Sequence, residues 1–248
     1  MLLEDFPKKR RRLSIRNTKE PHFSTWLQLE NKFANHKELL SIAYFLCQQN
    51  ESWIPLIAEY GLPHLERQLV FPSLIKAIVS QQLSGKAAKA IMERLHSLLQ
   101  GTVTEVEIAN RIVNLEQAQL RQAGLSQRKV EYLKGLAQLF ADGTLSDDEL
   151  ASLSDHDLTS RLLTVKGIGE WTIHMLMIFA LQRKDVLPFG DLGVRKGAIK
   201  FFGLSDQQKR WKKKEEWEAL FEPYRPYRTY VSWLMWKVNS PQFVIAME

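Results

Sequence analysis

Leu162-Leu-Thr-Val-Lys166-Gly167-Ile168-Gly169-Glu170-Trp171-Thr172, then the mostly apolar run 173–181, then Asp185-Val-Leu-Pro188-Phe189-Gly190-Asp191-Leu192-Gly193-Val194-Arg195-Lys196, is the stretch that decides the fold. Its first half reads as a Gly-x-Gly turn entering a helix. Its second half reads as a Pro/Gly loop that delivers one carboxylate to the start of another helix. Glycines at 167 and 169 let backbone approach backbone, and a helix begins with N–H groups that have no partner within the helix. Such a corner can hold a phosphate, or it can simply be a tightly packed helix–helix turn. Asp191 fits an ordinary N-cap as well as a catalytic acid, and the two roles are compatible.

The whole chain sets limits on what surrounds this stretch. Its 248 residues suffice for one large domain or two small lobes, and 45% hydrophobic with 25% charged residues is ordinary globular composition. A single cysteine, Cys47, excludes an intrachain disulfide and any cysteine-only zinc or iron–sulfur site. No apolar run is long enough for a membrane span and no secretory core opens the chain, so an intracellular protein is expected. The net charge is +6, but residues 1–20 carry seven Lys/Arg against three acids, a net of +4 that leaves only +2 for the other 228. A nucleic-acid partner must therefore be argued from local geometry. Lys8-Lys9-Arg10-Arg11-Arg12 fits a phosphate-grazing arm, a nuclear-import signal or a solubilising tail equally well.

Helical patterning runs through the rest. Residues 1–33 read as a polar basic extension, Phe33 to Gln49 as the first helix, Trp53 to Tyr60 as the second and Phe71 to about Gln81 as the third. The polar step Ser80-Gln81-Gln82-Leu83-Ser84-Gly85 interrupts this region before a helix through Leu99. Thr104 with Glu107 and Ser146 with Glu149 have capping-box spacing, and Ser154 with Asp157 is a weaker version. Ser126 is placed to cap a helix through Phe140. Helices over Trp171–Leu181, Val194–Phe202, about Asp206–Leu220 and about Arg228–Val238 complete an all-α chain, with no period-two alternation anywhere.

The hairpin at Gly167–Gly169, the Pro188-Phe189-Gly190-Asp191 loop and the Trp171 and Asp191-Leu192-Gly193 contexts together resemble the helix–hairpin–helix, Gly/Pro…Asp DNA glycosylases, in particular the alkylpurine (3-methyladenine type II) branch. The resemblance covers about residues 35–240. It implies a two-lobed helical bundle with a central cleft, one lobe about 70–183 and the other about 34–69 with 184–248. It implies an enzyme that flips an alkylated purine of the 3-methyladenine or 7-methylguanine type out of duplex DNA and hydrolyses its N-glycosidic bond in base excision repair. Asp191 would be the catalytic acid, facing an oxocarbenium-like C1′ or activating water. Trp171, Trp236, Met175, Trp53 and Phe189 would line the base pocket. A pocket tyrosine of the family falls at Met175, which leaves the pocket's selectivity open.

The same resemblance assigns the contacts to DNA. Gln82 would fill the gap left by the flipped nucleotide, with Leu83 prising the step and Ser84 and Lys86 near the minor groove. Lys166, Gly167, Ile168 and Gly169 would grip a phosphate, and Arg195 and Lys196 would contact others. The carbonyls of Leu163, Val165 and Ile168 would hold a structural monovalent cation; no other cofactor is implied. Lyase-type relatives carry a lysine where this chain has Trp171, so a monofunctional enzyme is expected. It would act as a monomer with no membrane partner, in a bacterial cytoplasm or nucleoid or in a nucleus. The competing readings are a non-catalytic hairpin DNA-binding module, a glycosylase for deaminated or oxidised bases, and a helical adaptor.

Overall fold

Helix-start chemistry sets the element boundaries. In the computed structural model, which describes residues 23–83, 85–205 and 213–240, Thr104 Oγ1 accepts the Glu107 N–H at 3.2 Å while the Glu107 carboxylate takes the Thr104 N–H at 3.0 Å. Ser126, Ser146 and Ser154 each accept the N–H three residues on, at 3.3, 3.2 and 3.1 Å. Each bond satisfies a donor that the first helical turn leaves over. Among the described residues there are fourteen α-helices and no strand. They are α1 (Phe23–Lys32), α2 (Lys37–Gln49), α3 (Trp53–Tyr60), α4 (Val70–Ser80), α5 (Gly85–Leu98), α6 (Glu105–Asn114) and α7 (Gln117–Gln122). There follow α8 (Gln127–Ala141), α9 (Asp147–Ser152), α10 (Asp155–Leu163), α11 (Glu170–Phe179), α12 (Leu192–Phe202), α13 (Lys214–Phe221) and α14 (Arg228–Asn239).

These helices fall into two compact units, one holding the described residues up to His64 and those from Leu187 on, the other running from Leu65 to Val186. In the first unit Trp53 stacks on Phe201 with centroids 4.0 Å apart, and the edges of Phe202 and Tyr224 close around it. Cys47 is buried there and burial pushes its thiol up to about 12, so it is no nucleophile at neutral pH. The tightest approach in this unit is α12 against α14. A Cβ on Gly197 would stand 2.0 Å from the Met235 carbonyl oxygen, so only glycine lets the two backbones meet.

The second unit is built round α4, which packs against α5, α8, α9 and α11 and is apolar on most of its surface for that reason. Phe71 stacks on Phe140 of α8, with centroids 4.2 Å apart. The residue before α4, Leu69, has no side-chain acceptor, so the cap comes from far along the chain. Asp147 accepts the N–H of Phe71 at 2.8 Å and that of Val70 at 3.1 Å. Its carboxyl is pushed up to about 6, first by burial and further by the neighbouring Glu105, against the pull of those backbone donors.

The structure revises the expected N-terminal boundary. Residues 23–32 form α1 inside what read as a polar extension to residue 33, and Leu29 is fully buried. Phe33 is buried too, but it lies in a turn at 33–35, and α2 begins only at Lys37. The basic run 8–12, Ser84 and the beginning of the helix expected from Asp206 lie outside the described residues.

Two outcomes follow from this packing. Gly197→Ala should cost roughly 3 kcal/mol, since backbone and not a pliable side chain stands in the way. Thermal unfolding should register this as a drop of about 6–12 °C. Between pH about 4 and 6 the folded protein keeps a proton on Asp147 that the unfolded chain releases. The stability of the wild type relative to Asp147→Asn should therefore fall as pH rises through that window and level off above it, as measured by urea unfolding at stepped pH.

Candidate active site and DNA-contact residues

Asp191 is presented by a loop made of two successive backbone turns. The Phe189 N–H bonds the Leu187 carbonyl at 2.9 Å and the Asp191 N–H bonds that of Pro188 at 2.8 Å. Asp191 is then the N-cap of α12, its Oδ1 accepting the Val194 N–H at 2.9 Å. The same oxygen accepts the indole N–H of Trp236, on α14, at 2.8 Å. Two donors on one oxygen fix the plane of the carboxylate. Gly193 makes room for this: a Cβ there would lie 2.8 Å from Trp236 Cδ1 and 3.1 Å from Asp191 Oδ1. Gly193 and Gly197 are four apart, on one face of α12, so the gap in side chains runs along the line where α14 packs.

This bond corrects the part expected of Trp236. Only 3% exposed, the indole orients the acid and offers no face on which a base could stack. Trp53 is likewise no pocket wall. It is 0% exposed, edge-on to Tyr224, whose phenol is raised first by burial. Met175, at 3%, lies in the packed part of α11. Of the five expected pocket residues, two keep accessible rings. Trp171 at the start of α11 is 43% exposed, and half-buried Phe189 carries the Lys214 ammonium 5.7 Å from its centroid. Burial of an aromatic is decided by tertiary packing, which the residue type alone does not reveal.

The hairpin joins α10 to α11 through residues 164–169. Gly167 has φ +93, and Tyr132 packs so closely on it that a Cβ would sit 2.4 Å from the ring. Gly169 is the N-cap of α11 and brings no side chain to cap its first turn. Ile168 is buried, whereas Lys166 is exposed and 3.9 Å from Glu131 across a solvated pair worth little.

The loop after α4 is tied to this hairpin by the Gln81 side-chain amide, which donates to the Gly167 carbonyl at 2.9 Å. Gln82 and Leu83, next along that loop, are exposed, as is Lys86. In the other unit Lys196 is exposed, but Arg195 departs from the expected phosphate contact. Its guanidinium lies over buried Trp217, 5.1 Å from the ring centroid, and is engaged within its own unit. Sequence reasoning missed Trp236 as the partner of the acid, the Gln81 amide as the tie to the hairpin, and Tyr132 as the ring packed on Gly167. The glycine pair at 193 and 197 was a legible sign that a helix comes close at Asp191.

Known proteins resemble this chain in sequence and fold. The model of the HhH-GPD superfamily of base excision DNA repair proteins matches residues 75–226. DNA-3-methyladenine glycosylase 1 of Schizosaccharomyces pombe is 34% identical over 176 residues, which span 69% of this chain and 76% of that protein. The solved structure of the S. pombe 3-methyladenine DNA glycosylase Mag1 in complex with abasic DNA superposes with a TM-score of 0.67 at 31% identity, covering 79% of this chain and 95% of that one. A DNA-3-methyladenine glycosidase from Bacillus halodurans gives the same TM-score and identity over 80% of this chain and 89% of its own. A match that takes in the hairpin and Asp191, together with relatives identical at about a third of the aligned residues, places the chain in the HhH-GPD superfamily of base excision DNA repair proteins.

Proposed function

We propose that this chain is a monofunctional DNA glycosylase that removes alkylated purines, of the 3-methyladenine and 7-methylguanine type, from duplex DNA and leaves an abasic site. The observation that carries the reading is the geometry at Asp191, a carboxylate held in one plane by the Val194 N–H and the Trp236 indole at the start of α12. As the glycosidic bond lengthens, C1′ gains positive charge, and a fixed negative group needs no reorganisation to stabilise it. The same fixed plane suits a carboxylate that takes a proton from the attacking water. An alkylated purine is cationic and leaves readily, so modest catalysis suffices. A cationic base stacked on an exposed indole such as Trp171 would gain about 0.5–2 kcal/mol.

The second unit anchors the duplex. The uncapped first turn of α11 at Gly169 offers main-chain N–H groups to a phosphate, a contact that fixes register without reading sequence. Gln82 enters the stack where the nucleotide has left, and Leu83 parts the step beside it. The turn suits a monovalent cation in kind. Leu163, Val165 and Ile168 have apolar side chains, so only main-chain oxygens would ligate it, and the Val165 carbonyl already accepts the Ile168 N–H at 3.1 Å with a second lone pair left. Such an ion would add positive charge beside the phosphate. With Trp171 at the position of the lyase lysine, no side-chain amine is supplied there to attack C1′.

The test incubates the protein with duplexes carrying 3-methyladenine, 7-methylguanine, ethenoadenine or hypoxanthine and identifies the released base. Release of the two methylated purines is expected, without strand nicking or a borohydride-trapped adduct. Asp191→Asn should lower single-turnover excision about 100-fold or more. Trp236→Phe, which deletes one hydrogen bond to a charged group, should lower it about 10- to 100-fold. Undiminished excision by Asp191→Asn would overturn the proposal, and release of hypoxanthine alone would move it to deaminated bases.

A further inference from the structure

The loop that carries Gln82 is held in a conformation its own sequence does not favour. Gln82 has φ +56, in the left-handed region where residues with a Cβ are rarely found. Three contacts hold it there. The Lys129 ammonium, from α8, donates to the carbonyls of Val79 and Gln81, each at 2.7 Å. The Gln81 side-chain amide donates to the Gly167 carbonyl. The Leu83 N–H closes the turn on the Ser80 carbonyl at 3.2 Å. The ammonium stands at the C-terminal end of α4, where the last carbonyls lack helical partners and the helix dipole favours a cation. It is partly withdrawn from water, and burial lowers its affinity for the proton.

The same helix supports the hairpin. Tyr132, three residues beyond Lys129 and therefore on the same face of α8, packs on Gly167. One face of one helix thus holds both the Gln82 loop and the phosphate-binding turn, and Gln81 bridges the two directly.

We propose that Lys129 and Gln81 are positioning residues. Together they keep the backbone of Gln82 in its left-handed state and in register with the hairpin, so that the amide is set for insertion before DNA arrives. The proposal rests on the reading of Gln82 as the residue that fills the emptied stack. A pre-formed loop avoids ordering cost at the moment of insertion, so removing its supports lowers insertion more than it lowers general affinity for DNA.

The experiment uses a duplex with a tetrahydrofuran abasic analogue and 2-aminopurine opposite it, whose fluorescence reports insertion without requiring catalysis. Wild type, Gln82→Ala, Lys129→Met, Lys129→Arg, Gln81→Ala and the double variant Lys129→Met with Gln82→Ala are compared. Lys129→Met and Gln81→Ala are expected to lower the fluorescence change about threefold to tenfold while affinity for undamaged duplex stays within about twofold. Lys129→Arg should restore most of the signal, because a guanidinium also serves two carbonyls. In the Gln82→Ala background Lys129→Met should add nothing.

A normal signal from Lys129→Met and Gln81→Ala, with Gln82→Ala defective, overturns the positioning role and leaves the Gln82 reading standing. A normal signal from Gln82→Ala overturns that reading itself. A full additional loss in the double variant shows that Lys129 acts elsewhere, and likewise overturns the proposal. If Lys129→Met does not fold, Gln81→Ala combined with Gln82→Ala decides by the same criterion.

Discussion

A single carboxylate oxygen taking two hydrogen bonds is the contact on which the proposed chemistry depends. Asp191 Oδ1 receives a main-chain N–H from its own helix and an indole N–H from 45 residues away, so its orientation is set jointly by α12 and α14. The indole would not reach it if the helices stood at an ordinary separation. The approach is permitted by two missing methyl groups, at Gly193 under the indole and at Gly197 against the Met235 carbonyl. Packing and chemistry are therefore one constraint here. Whatever parts the two helices also removes the indole from the acid.

The second unit solves a related problem with side chains that travel far. Because α4 is covered by four other helices, its surface had to become apolar, and its own flanking residues supply no N-cap. Its ends are satisfied by polar groups from distant elements, Asp147 at the N-terminus and Lys129 at the C-terminus. Each places a charge of the sign that the helix dipole prefers at that end. The arrangement carries charge into poorly hydrated places, and the raised Asp147 carboxyl and lowered Lys129 ammonium register that cost. It also links the middle of the chain to the loop where α4 stops.

What could be read from the chain divides along the same line between local and distant causes. The capped helices were legible because Thr104, Ser126, Ser146 and Ser154 act on donors three residues away. Asp191 was legible for the same reason, as a carboxylate before a helix and after a Pro/Gly turn. The α1 helix was not, since buried Leu29 is the lone inward apolar residue among those whose side chains are described there, and one buried leucine makes no stripe. The tryptophans were misplaced because an indole suits a ligand pocket, a core and a hydrogen bond to an acid alike. Trp171 stays exposed, Trp53 is buried in a core and Trp236 bonds the acid, and only packing over long sequence distances separates them.

Charge completes the argument about how such a chain holds DNA. Beyond residue 20 the formal net charge is only +2, and two of the basic side chains there are turned to structural work: Lys129 at two carbonyls, Arg195 over Trp217. A broad positive field is therefore a poor candidate for the main source of affinity in these residues. Main-chain donors at a helix start need no side-chain charge, and they hold their aim because the turn behind them is rigid. In this chain that rigidity comes from Tyr132 packed on Gly167. Gly167, which reads from sequence as a point where backbone can approach closely, is in the folded protein among the most closely packed places in its unit.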